Sequence, residues 1–124
     1  GSPCIFYGTE IAMEGGFDPD CRRCMPWDEI GNGENQEKIQ QMKKLIRMRQ
    51  TEETCRSPHF HFPNHYEGSR CVEYIKLDSE NRELEVILNC SDEPVTVGDG
   101  GEILFSRNYD SGTLEKNGTL IRRI

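Results

Sequence analysis

The hydrophobic pattern of this chain changes its period near Thr51, and that change limits the fold more than any other feature. Before it, apolar side chains recur at three- and four-residue spacing, at Ile39, Met42, Leu45 and Ile46. This spacing predicts a helix from about Gln36 to Gln50. After it, apolar and charged residues alternate, as at Leu84, Val86 and Leu88, which predicts half-buried β-strands.

Further strand-like runs lie at 70–77, 94–97, 102–105 and 119–124. Residues typical of turns separate them, at 67–68, 78–81, 98–101 and 117–118. Five or more short strands divided by turns predict a β-sandwich, in which apolar side chains face inward from two layers.

The first thirty-three residues follow neither period. Cys4 to Tyr7 is short and apolar and ends at Gly8, which predicts a strand buried on both faces. Residues 8–33 are interrupted by glycine and proline and predict one long loop. Loops of this length are uncommon unless they are functional.

Charge and hydropathy exclude two classes of partner. The net charge of -7 disfavours a surface for nucleic acid, which needs an excess of lysine and arginine. No apolar run approaches the roughly 20 residues of a membrane helix. We therefore expect neither nucleic acid nor a membrane as a partner.

The six cysteines would suit a disulfide framework, but several lie in or beside strand-like segments, and only Cys21 and Cys24 form a CxxC pair. One such pair is a weak zinc signal, so we expect reduced, structural thiols. His59 and His61 alternate but lack a further ligand at a recognisable spacing. We expect no metal and no cofactor.

Two segments near the start resemble a known family. Residues 3–11 read PCIFYGTEI and residues 17–29 read FDPDCRRCMPWDE. They resemble the last barrel strand of the alpha-amylase superfamily, glycoside hydrolase family 13, often PCIYYGDEI, and the following loop of its neopullulanase, cyclomaltodextrinase and maltogenic amylase branch, NDPDCRRPMPWD. The later run ELEVILNCSDEPVTV is similar to the Greek-key β domain that follows the barrel.

The resemblance implies a mainly β chain with two parts. Residues 1–55 would be the carboxyl-terminal remnant of a (β/α)8 catalytic barrel, comprising its last strand, a substrate-side loop and its last helix. Residues 56–124 would be the carboxyl-terminal antiparallel Greek-key β-sandwich. A complete barrel needs about 250 residues, so the chain of 124 resembles the end of a larger enzyme.

The resemblance also implies site residues. Asp18 and Arg22 match positions at which this branch contacts sugar on the non-reducing side of the scissile bond, although the same pair could instead only brace the loop. The family's catalytic carboxylates lie on earlier strands, so no catalytic residue is expected here. Trp27, the single tryptophan, is expected to be a packing anchor.

The parent enzyme would hydrolyse α-glycosidic bonds with retention in maltodextrin, cyclodextrin or pullulan, while this chain alone would be inactive and structural. The alternative is a free-standing carbohydrate-binding β-sandwich module. An exposed barrel remnant would pack against the sandwich or pair in a homodimer. Reduced cysteines, together with the intracellular location that is usual for this branch, indicate that the protein is cytoplasmic.

Overall fold

The computed structural model describes residues 2–124. The chain divides into two compact units, the first ending at Arg47 and the second spanning Met48–Ile124. Helix α2 crosses this division, and the two units differ in the kind of structure they contain.

The first unit is built from turns and helices. Short 3-10 turns cover Thr9–Ile11 and Asp20–Arg22. Helix α1 follows at Trp27–Gly31 and helix α2 at Gln36–Thr51. The helix predicted from the three- and four-residue spacing is therefore confirmed and ends one residue later than expected.

The strand predicted at Cys4–Tyr7 is wrong for this structure. Residues 2–6 have no regular structure, and the side chains of Ile5 and Phe6 are 49% and 63% exposed. A strand is held by hydrogen bonds to neighbouring strands, and the described part of the first unit contains none. The apolar sequence alone does not supply those partners.

The second unit is mainly β. Helix α3 covers Glu53–Arg56. Six strands follow: β1 His59–His61, β2 Cys71–Leu77, β3 Glu83–Asn89, β4 Val95–Thr96, β5 Glu102–Asp110 and β6 Thr113–Arg123.

All pairings among these strands are antiparallel. β1, β2 and β3 form a meander, and β6 returns to lie beside β3. β6 also pairs with β5 along its length and with β4 near Leu114. The result is a curled antiparallel sheet with a Greek-key return, which confirms the predicted mainly β fold.

The core lies mainly on one face of this sheet. Its fully or nearly buried apolar members are Cys71, Ile87, Val97, Leu114 and Leu120. Side chains alternate between faces along a strand, so Leu84 and Val86 point to the opposite face, where they are 1% and 5% exposed. β3 is therefore covered on both sides and forms the centre of the unit.

Strand β6 is longer than the predicted run at 119–124. It begins at Thr113 and passes through Asn117 and Gly118, with Asn117 in the left-handed region at φ 55°. The pair was predicted as a turn because Asn-Gly is a strong turn signal. Here it bends a continuous strand, so that one end pairs with β4 and the other with β3.

Within residues 2–124, no helix has the length and apolar character to cross a membrane.

Candidate substrate-binding loop

The segment 15–23 of the first unit is a tightly folded loop. Its Asp18–Pro19 peptide bond is cis, and a 3-10 turn at Asp20–Arg22 follows. A side chain on Gly15 would come within 3.0 Å of the Cys21 Cα atom. The two parts of the loop therefore approach each other closely here, and a larger residue at this position would be crowded.

Asp18 and Arg22 form an ion pair within this loop. Arg22 Nε lies 2.7 Å from Asp18 Oδ1, and the side chains of Arg22 and Asp18 are 73% and 60% exposed. They lie four positions apart across the 3-10 turn. The structure thus brings together the two residues predicted to contact sugar, on a surface open to solvent.

A second ion pair braces the loop from within. Arg23 donates from Nε to Asp20 Oδ1 at 2.8 Å and from Nη2 to Asp20 Oδ2 at 2.6 Å. The Gly16 amide donates to Asp20 Oδ2 at 2.7 Å. The hydrogen bonds from Arg23 and the Gly16 amide hold the pKa of Asp20 below its ordinary value.

Tyr7 ties the loop to the preceding segment. Its hydroxyl donates to the Arg23 carbonyl oxygen at 2.8 Å. The two-pronged bond between Arg23 and Asp20 is the geometry in which guanidinium and carboxylate match best. The Asp20–Arg23 pair thus holds the loop backbone in place. The Asp18–Arg22 pair is joined by one contact between its two side chains, which are exposed to solvent.

The chemistry of the exposed pair suits a polyhydroxylated ligand. The contact with Asp18 uses Nε of Arg22, and a guanidinium carries four further N–H donors on its two Nη atoms. The Asp18 carboxylate has two oxygens that accept from hydroxyl groups. A donor fork and an acceptor held side by side can bind two neighbouring hydroxyls of one sugar.

Trp27 differs from the prediction that it is a packing anchor. Its side chain is 71% exposed at the start of α1, beside the half-buried Met25 and Pro26. Phe17, at the other end of the loop, is 97% exposed. Trp27 and Phe17 therefore both lie on the outside of this unit.

The cysteines of the loop are free thiols. Cys21 and Cys24 are both exposed, and Cys21 Sγ lies 3.8 Å from Asp18 Oδ1. Elsewhere Cys55 and Cys71 are buried and free. Throughout residues 2–124, no three histidine, cysteine or acidic side chains are grouped as metal ligands.

The roles of Asp20, Arg23 and Tyr7 were missed from sequence. The signal that could have found them is the spacing within DPDCRR, where each acid precedes a base by three or four positions. Such spacing allows two separate pairs. Which pair braces and which is exposed depends on the backbone path, and that could not be inferred.

Known proteins of similar sequence include a cyclomaltodextrinase, a maltogenic amylase and a neopullulanase. The chain is 37% identical over 89 residues to a cyclomaltodextrinase from a Bacillus species, covering 72% of this chain and 16% of the relative. It is 52% identical over 54 residues to the intracellular maltogenic amylase of Bacillus subtilis, covering 44% of this chain and 9% of the relative. Neopullulanase 2 of Thermoactinomyces vulgaris is 49% identical over 49 residues, covering 40% of this chain and 8% of the relative.

The fold has a solved counterpart. A protein from Salmonella typhimurium assigned as an alpha amylase superimposes with a TM-score of 0.61 at 19% identity, covering 78% of this chain and 17% of that one. No protein-family model matches the sequence. The chain belongs to the alpha-amylase family of glycoside hydrolases.

This alpha-amylase-family chain spans a small part of the curated relatives it matches, between 8% and 16% of their length in these three cases. The 89 residues matched to the cyclomaltodextrinase are more than either compact unit contains. The relationship therefore extends over both units rather than the β sheet alone.

Proposed function

We propose that this chain is the carboxyl-terminal part of a glycosidase that hydrolyses α-glycosidic bonds of maltodextrin, cyclodextrin or pullulan with retention. The observation that carries the proposal is the exposed Asp18–Arg22 ion pair on a loop braced by Asp20 and Arg23. The names of the relatives, cyclomaltodextrinase, maltogenic amylase and neopullulanase, support the substrate class.

In this proposal Asp18 and Arg22 contact sugar hydroxyls on the non-reducing side of the bond that is cleaved. Each residue orients the other, because the carboxylate holds the guanidinium fork in one plane. The Asp20–Arg23 brace fixes the backbone beneath them, so little conformational freedom is lost when sugar binds.

Residues 1–55 are proposed to be the end of a catalytic barrel and residues 56–124 the β domain that follows it. The exposure of Ile5, Phe6 and Ile46, at 49%, 63% and 42%, supports this division. Large apolar side chains at this level of exposure suit a surface that further protein covers. The rest of the barrel is the proposed cover, with a second copy in a homodimer as the alternative.

The catalytic carboxylates are proposed to lie outside these residues, so that this chain supplies substrate contacts and support without chemistry of its own. One relative is an intracellular maltogenic amylase, and this supports a cytoplasmic location. α-Glucan oligosaccharide is the proposed ligand of the complete enzyme.

The proposed substrate binding by Asp18 and Arg22 is tested by grafting residues 17–30 in place of the matching loop of the Bacillus cyclomaltodextrinase. In the grafted enzyme, we expect Arg22→Met and Asp18→Asn each to lower kcat/KM for maltoheptaose by about 10- to 100-fold, since a charge-assisted hydrogen bond contributes about 1.5–3 kcal/mol. The double variant should lose little more than the larger single loss, because the two residues act as a unit.

The matched control is Asp28→Asn, an exposed carboxylate of the same graft, which should leave kcat/KM unchanged. If Arg22→Met and Asp18→Asn also stay within twofold of the unmutated graft, the pair does not bind substrate.

A further inference from the structure

Four ionisable side chains form a row across the second unit. Glu85 of β3 pairs directly with Arg122 of β6, and Glu73 of β2 pairs with Ile87, two positions from Glu85 on β3. Residues two apart on a strand share a face, so Glu73 and Glu85 are diagonal neighbours on one face. His65 lies at the Glu73 end, with Nδ1 at 3.1 Å from Glu73 Oε1.

Three of the four side chains are buried. The exposed fractions are 3% for Glu73, 8% for Glu85 and 10% for Arg122. The side chain of His65 is 65% exposed. The row therefore runs from solvent at His65 into the interior at Arg122.

The inner end is fully paired. Arg122 Nε donates to Glu85 Oε2, Nη2 donates to the Val97 carbonyl at 3.0 Å, and Nη1 donates to the Gly100 carbonyl at 2.9 Å. This guanidinium ties β6 and β3 to the segment between β4 and β5. The positive charge of Arg122 offsets the negative charge of Glu85. The charge of the second buried carboxylate, Glu73, is not offset by it.

The outer carboxylate carries an unsatisfied atom. Among the described residues, Glu73 Oε2 is the buried side-chain nitrogen or oxygen that lacks a hydrogen-bond partner. Two ionised carboxylates beside one guanidinium would leave a net buried negative charge, which is strongly unfavourable. A single proton between Glu73 and Glu85 would satisfy the oxygen and bring the buried cluster to zero net charge.

We propose that Glu73 and Glu85 share one proton in the folded protein at neutral pH, and that this proton is a pH-sensitive clasp between β2, β3 and β6. The proton bridges the two carboxyl groups. His65 closes the outer end by its contact with Glu73, and so connects the clasp to the turn that follows β1.

The surrounding groups agree with this arrangement. Burial raises the pKa of Glu85, and the neighbouring Glu73 carboxyl group acts in the same direction against the opposing effect of Arg122. Tyr66 lies near Glu73 and Glu85, and Cys71 lies near Glu73; burial followed by the charge of Glu73 raises the pKa of each. These two groups are therefore neutral at pH 7, and within this set Arg122 is the buried cation.

The proton makes stability depend on pH in a defined direction. Because the folded chain holds a proton that the unfolded chain releases, stability falls as pH rises above the ordinary range of a glutamic acid, near 4.5. The loss continues until the pair loses its proton in the folded state. A release of one proton makes the unfolding equilibrium constant rise about tenfold per pH unit over this range.

Infrared spectroscopy of the 124-residue chain detects the proton directly. At pH 7 the wild-type chain should show the carbonyl stretch of a protonated carboxylic acid. Glu73→Gln and Glu85→Gln should each abolish it, because glutamine donates to the remaining carboxylate without a proton from solution. Glu115→Gln, an exposed carboxyl on β6, should keep the band.

Urea unfolding across pH 5–8 provides a second readout on the same variants. The Glu115→Gln chain should keep the wild-type dependence of the unfolding equilibrium constant on pH. In Glu73→Gln, the part of that dependence that comes from one proton, about tenfold per pH unit, should be lost. A wild-type spectrum without a protonated carboxyl band at pH 7 overturns the proposal, as does a Glu73→Gln slope equal to that of the control.

Discussion

Asn89, the last residue of β3, is a buried polar centre of the β unit and is 1% exposed. Its Nδ2 atom donates to the carbonyl oxygens of Glu93 and Leu114, at 2.8 and 2.9 Å, and the Glu115 carbonyl oxygen at 3.2 Å shares one of these two hydrogens. Its Oδ1 atom accepts from the amide and the hydroxyl of Ser91. One amide side chain thus joins β3, β6 and the segment that leads to β4.

We predict that Asn89→Asp destabilises the chain by about 3 kcal/mol or more at pH 7. The variant is nearly the same size, but a carboxylate accepts hydrogen bonds only, and it would face three carbonyl oxygens. Urea unfolding followed by circular dichroism measures the change.

The control is Asn108→Asp. Asn108 is exposed and donates to the Lys116 carbonyl, so its replacement should cost about 0.5 kcal/mol or less. Equal losses of stability in the two variants would show that the hydrogen bonds of the buried Asn89 amide contribute no more than those of an exposed asparagine.

The asparagine at the end of the apolar run could be recognised in the sequence, but its role could not. The run ELEVILNCS predicts a strand that ends at a polar residue. Two of the carbonyl oxygens that Asn89 contacts, those of Leu114 and Glu115, belong to β6 and approach only when β6 returns beside β3. A buried side chain is also closed to glycosylation, although Asn89-Cys90-Ser91 matches the acceptor sequence.

At the scale of elements, β6 determines how the sheet curls. It pairs with β5 along its length, with β3 at one end and with β4 at the other, and Gly118 lies at the bend between these two ends. A Cβ atom on Gly118 would lie 2.6 Å from the Glu115 carbonyl oxygen and 2.7 Å from Leu114 Cδ1. The backbone therefore approaches a core leucine as only glycine allows.

We predict that Gly118→Ala destabilises the chain by about 1–3 kcal/mol, because the added methyl group must displace Leu114 or unbend the strand. Hydrogen exchange should quicken at Leu114 and Thr113, whose pairing with β4 depends on the bend. Chemical unfolding gives the change in stability.

Gly100→Ala is the matched control, since no atom lies within 4 Å of its added Cβ, and it should change stability by about 0.5 kcal/mol or less. An unchanged stability of Gly118→Ala would show that the bend is not limited by this contact.

Elements differed in how well the sequence predicted them. Helix α2 was predicted because its spacing and good helix formers are local properties. The strand at Cys4–Tyr7 was not, because a strand needs partners elsewhere in the chain. Strand β1, His59–His61, was missed between two prolines, and it forms through pairing with Ile75–Leu77 of β2.

At the scale of the whole molecule, the chain combines a braced loop unit with a folded β unit. Retaining glycosidases need two carboxyl groups about 5–5.5 Å apart, one on each side of the bond that is cleaved. The proposed function places the catalytic carboxyl groups outside these residues, so the carboxylates near the loop, Glu10 among them, are proposed to take no part in the chemistry. The chain is therefore expected to depend on other parts of an enzyme for chemistry.

We predict that the 124-residue chain releases no reducing sugar from cyclomaltodextrin or soluble starch. Turnover above the buffer control that Glu10→Gln abolishes would contradict this expectation. Titration with maltoheptaose, followed by Trp27 fluorescence and by calorimetry, should show no binding. Binding that Phe62→Ala removes would favour the carbohydrate-binding module instead, since Phe62 is 55% exposed and meets Phe60 edge to face.

The sequence by itself determined the family, the mainly β class, helix α2 and the identity of the Asp18–Arg22 pair, because these depend on local spacing and on motifs of adjacent residues. Only the tertiary structure decided that Asp20 and Arg23 brace the loop, that Asn89 joins three segments and that Glu73 and Glu85 are buried on one face of the sheet. The physical reason is that strand pairing brings together side chains that are distant in the chain. Whether a charged group is then stabilised or left unpaired depends on those neighbours.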